Sequence, residues 1–263
     1  MPFKIGLAQL RHPENGDVVS LVDRVSGKAR DAGIDLIVFP ESLMTRFEID
    51  RKMFIHEAEP IDGAFFTALE RIAKEQGLWI AFTMNERNLH DERPFNTAVI
   101  VDSNGDLRGS YRKIHLFDSS NVKESTRMSA GDEVFFPIES PFGKLGLGIC
   151  YDLRFPELAR KQVLEGCEIL LYPSAWVEGP MKKLQWEALL RARAIENQIF
   201  VAGVCRCDAG YVGSSVVYSP SGDEIARSNG NEEQLVTATI DLSIIAEVRQ
   251  SIPCLEHRRP KLY

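Results

Sequence analysis

The chain has 263 residues, of which 44% are hydrophobic and 26% charged, with a formal net charge of −7. This composition suits one large globular domain or two small ones, with enough apolar side chains for a sizeable core. The negative charge, with its densest basic cluster confined to 257–261, argues against nucleic acid and anionic membranes as partners.

The first half of the chain alternates predicted strands with predicted helices. One helix begins after the N-cap residue Asp17 and stops at Gly33, and a second begins at Asp62 and stops at Gly77. The predicted strands are 3–10, 35–41, 78–84, 96–102 and 107–113. A polar loop at 114–131 follows them.

The second half mixes crossover helices with hairpins. Helices at 156–166 and 180–197 and a final helix capped by Asp241 interrupt the strands. The predicted strands are 134–138, 143–150, 168–174, 199–205, 214–220, 224–228 and 235–240. Without a linker or a repeat, this order predicts one mixed α/β domain over 1–263 with a layered sheet core.

The cysteines do not form a metal or redox motif. The chain has five, and a single residue separates Cys205 from Cys207, which is not the gap of a zinc or disulfide motif. We expect reduced thiols and a cytoplasmic protein, with Cys205 and Cys207 serving only in packing. The start of the chain lacks a signal-peptide pattern, and no apolar stretch is long enough to span a membrane.

Three predicted strands end on residues that could carry chemistry: Glu41, Lys113 and Cys150. Runs this apolar should be buried, so the polar residue at each end lies at a sheet edge, where clefts form. Taken singly, each has a plain structural interpretation: a solvated carboxylate, a lysine that extends to solvent, and an inert buried thiol.

The surroundings of Cys150 favour a nucleophile. Gly146 and Gly148 indicate a close approach to the strand, and Pro156 suits the first turn of a helix that follows. Backbone N–H groups there can stabilise a thiolate or an oxyanion. A thiol also needs a base and an oxyanion partner, which Glu41 and Lys113 would supply if the fold brings them together.

Five ordered sequence blocks resemble the nitrilase (carbon–nitrogen hydrolase) superfamily. The blocks are VFPES, YRKIHLFD, GLGICYDLRFPELAR, YPSAW and RARAIENQ. The resemblance implies a catalytic triad of Glu41, Lys113 and Cys150, and a second glutamate at Glu124, with Glu133 nearby in the same loop. It also implies an α-β-β-α sandwich that pairs into a four-layer homodimer or larger oligomer, with the tail 251–263 at the interface.

The family chemistry would proceed through a thioester without a metal or organic cofactor. Glu41 would take the thiol proton, Cys150 would attack an amide-type carbon, and Lys113 with the N–H of Tyr151 would hold the oxyanion. Glu124 would orient Lys113 or the substrate amide.

The sequence resembles the omega-amidase branch most, which implies hydrolysis of a small linear amide such as the omega-amide of a dicarboxylate. Loops at 42–50, 117–130 and 174–180 should select the substrate. Arg46 is a candidate for binding a substrate carboxylate, and Trp176 a candidate pocket wall that excludes water. Gln185 stands where relatives often have His.

Three alternatives remain open at this level. The first is hydrolysis of an N-carbamoyl amine or amino acid. The second is a Cys-His acyl hydrolase or transferase that uses Cys150 with His115, two positions after Lys113. The third is a non-catalytic binding protein on the same scaffold.

Overall fold

Two six-stranded β-sheets lie face to face in the computed structural model, which describes residues 2–14, 16–46, 51–120 and 122–262. The spatial order of the first sheet is β12 (Gln234–Ile240), β1 (Phe3–Gln9), β2 (Leu36–Val38), β3 (Trp79–Glu86), β4 (Phe95–Val101) and β5 (Leu107–Arg112). The order of the second is β11 (Glu224–Arg227), β10 (Val216–Tyr218), β9 (Phe200–Cys205), β8 (Ile169–Ser174), β7 (Gly143–Leu147) and β6 (Ile138–Ser140). Each sheet joins parallel strands at its centre to antiparallel strands at its edges.

Helices cover the outer faces of both sheets. In the described part of the chain they are α1 (Val18–Asp31), α2 (Arg51–His56), α3 (Ala64–Gln76), α4 (Pro156–Leu164), α5 (Lys182–Asn197) and α6 (Ser243–Ser251). Helices α1 and α3 pack on the first sheet, and α4 and α5 on the second. The result is an α-β-β-α sandwich in a single domain, as expected.

Burial on both faces explains the apolar runs of the central strands. In β2, Leu36 and Val38 contact the core between the sheets, whereas Ile37 packs under α1 and α3. Strands covered on both faces read as continuous apolar runs instead of alternating patterns. All three residues of β2 are therefore apolar and buried.

Helix caps were predicted with mixed success. Asp17 caps α1, because its carboxylate accepts a hydrogen bond from the N–H of Ser20 at 3.0 Å, and Gly77 ends α3 in the left-handed conformation. The prediction for Asp62 was wrong. Glu59 accepts instead from the N–H of Phe65 at 2.7 Å, so a residue further upstream satisfies the start of α3.

The strand predicted at 134–138 was also wrong, since β6 only begins at Ile138. Pro137 lacks an N–H and cannot donate to a ladder. The apolar side chains before it pack instead of pairing, as shown by Phe135 against the ring of Tyr111 with centroids 6.3 Å apart. The short helix α2 had no counterpart in the sequence analysis.

The tail after α6 lies against the end of α5. Gln198 donates a hydrogen bond to the carbonyl of Ile252 at 2.6 Å, and Leu255 packs against the core. The Ile252 side chain itself is 63% exposed. Among the described helices, none is long and apolar enough to cross a membrane.

Candidate active site

The polar ends of three strands converge at one point between the sheets. Glu41 follows β2, Lys113 directly follows β5, and Cys150 lies beyond the end of β7 in the facing sheet. Lys113 Nζ lies 2.8 Å from Glu41 Oε1, although 72 positions separate the two residues. The fold therefore brings together the three residues that the strand ends singled out.

Lys113 is the centre of a buried charged cluster. Its ammonium donates to Glu41 and to both carboxylate oxygens of Glu124, at 3.0 and 2.9 Å. The lysine is 2% exposed, and both glutamates are also buried. Glu133, the other acidic residue considered in this loop, is exposed to solvent. Glu124 is thus the carboxylate that joins the cluster.

Two further groups, which the sequence analysis missed, hold the carboxylates in place. Asn96 donates through Nδ2 to Glu41 Oε1 at 2.8 Å and to Glu124 Oε1 at 3.4 Å. The backbone N–H of Ala175 donates to Glu41 Oε2 at 2.8 Å. Asn96 lies at the start of an apolar strand, where a buried amide needs hydrogen-bond partners. This position was the only sequence feature that could have pointed to Asn96.

Cys150 opens a tight turn. Residues Cys150–Arg154 form a 3₁₀ turn between β7 and α4, and Cys150 has φ of +46°, which is unusual for a residue other than glycine. Its thiol lines the same cavity as Glu41, and burial together with the charge of Glu41 raises the pKa of the thiol. The sequence placed the thiol directly before α4. The structure instead places the N–H of Tyr151, the proposed oxyanion donor, in the separate 3₁₀ turn.

A carboxylate behind the turn fixes its geometry. Asp152 is fully buried and accepts from the N–H of Ile149 at 2.8 Å and from the hydroxyl of Tyr111 at 2.9 Å. Its other oxygen lies 2.8 Å from Nδ1 of His115. These bonds brace the turn that carries Cys150.

The charges in the cluster determine the protonation of the thiol. Burial raises the pKa of Glu41, but the Lys113 ammonium and the hydrogen bonds outweigh it and leave the pKa lowered. Burial lowers the pKa of Lys113, yet the two carboxylates leave it well above its usual range. Burial and the Glu41 charge raise the pKa of Cys150 well above that of a free thiol. The resting site therefore pairs a neutral thiol with an ionised carboxylate.

Burial also raises the pKa of Glu124, with the nearby Glu41 charge adding to the effect and Lys113 opposing it. Two carboxylates that share one ammonium titrate as a unit. The cluster can thus accept one proton without losing the charge of Lys113.

The cluster lies at the base of a cavity of about 280 Å³. Its polar lining consists of Glu41, Lys113, Glu124 and Cys150, and the rest is mainly apolar. The other lining residues are Ser42, Phe117, Val122, Ala175, Val177, Ala209, Gly210 and Tyr211. A mostly apolar pocket with a few convergent polar groups is typical of a small-molecule site.

Trp176 lies beside this cavity. It lines a smaller adjoining space of about 20 Å³ together with Cys150. Its indole N–H donates to the carbonyl of Lys182 at 3.0 Å, and its ring lies 5.4 Å from that of Trp186. Both contacts hold the ring as a wall next to the thiol.

The structure does not bring Arg46 to the thiol. Its guanidinium donates to the carbonyls of His12 and Pro13 at 3.4 and 3.3 Å. It lines another cavity, of about 670 Å³, together with Arg11 and Asp208. The loop 42–50 was expected to select the substrate; only Ser42 of it lines the cavity of Cys150, and positions 47–50 lie outside the described residues.

His115 is engaged away from the cavity. Its ring pairs with Asp152 and stacks on Phe155 with centroids 3.5 Å apart. Of the described residues that line the cavity with Cys150, none is a histidine. The geometry therefore does not support a Cys-His pair.

Four other residues discussed from the sequence have structural surroundings. Gln185 accepts a hydrogen bond from Arg154 at 2.7 Å. The sulfur of Cys205 accepts from the N–H of Trp176 at 3.3 Å, and Cys207 is buried nearby. A side chain at Gly148 would meet the ring of Tyr172 at 2.6 Å, so the close approach predicted there comes from a neighbouring strand. Within the described ranges, no three His, Cys, Asp or Glu side chains are grouped as a metal site.

Comparisons with known proteins agree with this chemistry. Residues 4–250 match the family model for carbon-nitrogen hydrolases. The chain is 36% identical over 275 residues to omega-amidase NIT2 of Xenopus tropicalis, covering 99% of this chain and 96% of that protein. It is 34% identical over 232 residues to a deaminated glutathione amidase of Escherichia coli O157:H7, covering 88% and 87%. The crystal structure of the C. elegans NitFhit protein superimposes with a TM-score of 0.91 at 30% identity, over 100% of this chain and 66% of that one.

Proposed function

The chain belongs to the carbon–nitrogen hydrolase family and is a hydrolase of carbon–nitrogen bonds other than peptide bonds, and from this premise we propose that it is an omega-amidase-like enzyme. The proposed substrate is a small linear amide, such as the omega-amide of a dicarboxylate like 2-oxoglutaramate. The products are the carboxylate and ammonia.

In the first half-reaction Cys150 becomes acylated. Ionised Glu41 takes the thiol proton as the sulfur attacks the amide carbon. The ammonium of Lys113 and the N–H of Tyr151 stabilise the oxyanion that forms on the carbonyl oxygen. Glu41 then gives its proton to the amide nitrogen, the C–N bond breaks, and ammonia leaves a thioester on Cys150.

In the second half-reaction water hydrolyses the thioester. Glu41, again ionised, takes a proton from a water molecule, whose oxygen attacks the same carbon. The C–S bond breaks, the sulfur recovers the proton, and the carboxylic acid leaves. Glu124 holds Lys113 at a fixed position throughout, because it binds the ammonium through both oxygens. The proposed steps need no metal or organic cofactor.

The observation that carries this proposal is the convergence of the Cys150 thiol, the Glu41 carboxylate and the Lys113 ammonium on one cavity, where Lys113 keeps Glu41 ionised. A nucleophile, its base and a cation for the oxyanion are the parts that amide hydrolysis requires. The modest cavity suits a short substrate. The relatives described above are an omega-amidase and a deaminated glutathione amidase, which supports an amide as the substrate.

The test is ammonia release from a panel of omega-amides, deaminated glutathione, N-carbamoyl amino acids and nitriles, with Cys150→Ala as the control. We expect turnover of omega-amides that is absent from Cys150→Ala. Turnover confined to N-carbamoyl compounds would move the substrate to that branch. Tight binding without turnover of any compound would support a binding protein instead.

We further propose that the protein acts as a homodimer or larger homo-oligomer in the cytoplasm. Apolar side chains are exposed on the outer helices and the tail, namely Leu164, Leu184, Ile195 and Ile252. A second copy of the chain would cover them, and light scattering in solution measures this pairing. The cysteines Cys150, Cys167, Cys205, Cys207 and Cys254 are all free, which suits a reducing compartment.

A further inference from the structure

A lysine without a carboxylate partner lies beside the reactive thiol. Lys182 and Cys150 both line the smaller space of about 20 Å³ that adjoins the main cavity. The ammonium of Lys182 lies 5.2 Å from the ring centroid of Phe117 and 5.9 Å from that of Trp176. In the part of the chain that the structure describes, no carboxylate lies within 4.0 Å of this ammonium.

The surroundings of Lys182 are electropositive. It is the first residue of α5, where the helix dipole is positive, and the first turn of α5 contains no acidic residue. Arg154 lines the same space, but it is engaged with Gln185 and with the face of Trp176 at 4.8 Å. A cation at a helix N-terminus, next to a second cation, is unfavourable unless an anion is bound.

The pKa of Lys182 reflects these electropositive surroundings. Burial and the charge of Arg154 lower the pKa of Lys182, while a negative charge on Cys150 would raise it. The Cys150 sulfur therefore lies within electrostatic range of this ammonium. The rings of Phe117 and Trp176 lie beside the half-buried lysine side chain and favour its positive charge.

We propose that Lys182 is a specificity-determining residue, which binds the carboxylate of an anionic amide substrate while the amide group reaches Cys150. The inference rests on the proposed amidase function. The main cavity takes the reacting amide, and the adjoining space, which holds about one small polar group, takes the carboxylate. Lys182 thereby distinguishes anionic amides from neutral amides of the same length.

The test compares succinamate with butyramide, which has the same four-carbon chain but a methyl group in place of the carboxylate. The variants are Lys182→Met, which keeps the apolar stem, and Lys183→Met, which removes the neighbouring exposed charge on the same helix. In Lys182→Met we expect KM for succinamate to rise about 10- to 100-fold, the range for a lost charge-assisted hydrogen bond. The kcat for succinamate and all constants for butyramide should stay within about twofold, and Lys182→Arg should restore most of the loss.

Equal effects of Lys182→Met on both substrates, or the same effect from Lys183→Met, would overturn the assignment while leaving the amidase function intact. Wild-type protein that hydrolyses butyramide but not succinamate would do the same. Wild-type protein that hydrolyses neither amide would overturn both. Calorimetric binding of succinamate to Cys150→Ala, with and without Lys182→Met, supplies a measurement independent of turnover, and unchanged affinity there contradicts the proposal.

Discussion

Two polar clusters lie on either side of Cys150, and they differ in their contact with the cavity and in their balance of charge. In front of the thiol, Lys113 binds two carboxylates, Glu41 and Glu124, and all three line the cavity. Behind it, Asp152 binds Tyr111 and His115, and it lines neither cavity beside the thiol. The carboxylates of both clusters are buried, whereas His115 in the rear cluster is partly exposed.

The difference lies in the balance of charge. The front cluster holds two carboxylates around one ammonium, so one carboxylate oxygen remains able to accept a proton from the thiol. The rear cluster surrounds a single carboxylate with donors from the backbone and two side chains, and this carboxylate does not line the cavity. Burial alone does not mark a catalytic group. Contact with the cavity and an unbalanced set of charges do.

The largest effect is expected from removing the cation of the front cluster. Lys113→Met should lower kcat for amide turnover by about 10²- to 10³-fold or more, because the oxyanion loses its cation. It should also destabilise the fold by about 3–5 kcal/mol, since two buried carboxylates are left without a counter-charge. Ammonia release and chemical denaturation measure the two losses.

A double variant separates the two effects of this change. Lys113→Met with Glu124→Gln removes one of the repelling charges and should recover much of the stability but no turnover. A kcat near that of the wild type in the folded single or double variant would contradict the role of Lys113.

A smaller effect is expected from acidification. Glu41 acts as a base only when ionised, and its pKa is lowered from the usual 4.5, mainly through Lys113 acting against burial. The acid limb of kcat/KM should therefore lie below pH 4.5, measured where circular dichroism shows the protein to be folded. The stabilisation due to ionised Glu41 is likewise present above pH 4.5 and is lost as the pH falls through its lowered pKa.

An acid limb near pH 6.5 would point to a histidine as the base. If that limb then disappeared in His115→Ala, the Cys-His alternative would replace the present assignment. Persistence of the limb in that variant would instead assign it to Glu124, whose pKa is raised.

The smallest effect is expected in the rear cluster. His115→Ala removes one hydrogen bond to Asp152 and the stacking on Phe155, and should lower the free energy of unfolding by about 1–2 kcal/mol. Its kcat/KM should stay within about threefold of the wild type, because Asp152 keeps its bonds to Ile149 and Tyr111. Complete loss of turnover in folded His115→Ala would show that the two clusters are not separate in function.

Local patterns predicted much of the fold and the three residues that meet at the candidate site. Apolar runs marked the buried strands, Asp17 and Gly77 marked helix ends, and polar residues after apolar runs marked Glu41, Lys113 and Cys150. These signals depend on one residue and its near neighbours, so they can be read along the chain. The blocks around these positions also identified the family.

Other features depended on contacts between distant segments. The cap on α3 came from Glu59 instead of Asp62, because the chain before the helix folds back onto its first turn. Arg46 turned toward a different cavity, although it lies five positions after Glu41 in the sequence. Asn96 and Lys182 carry no local pattern that separates them from ordinary strand and helix residues.

The sequence by itself determined the strand ends, the thiol and its family, because each is encoded in a short stretch of chain. Tertiary structure decided that Glu41 and Lys113 meet at 2.8 Å, that Glu124 and not Glu133 joins them, and that Lys182 faces the thiol. These contacts join residues on different strands, loops and helices of a two-sheet sandwich. Their geometry follows from how the sheets pack and in which register their strands pair, and that is a property of the whole core.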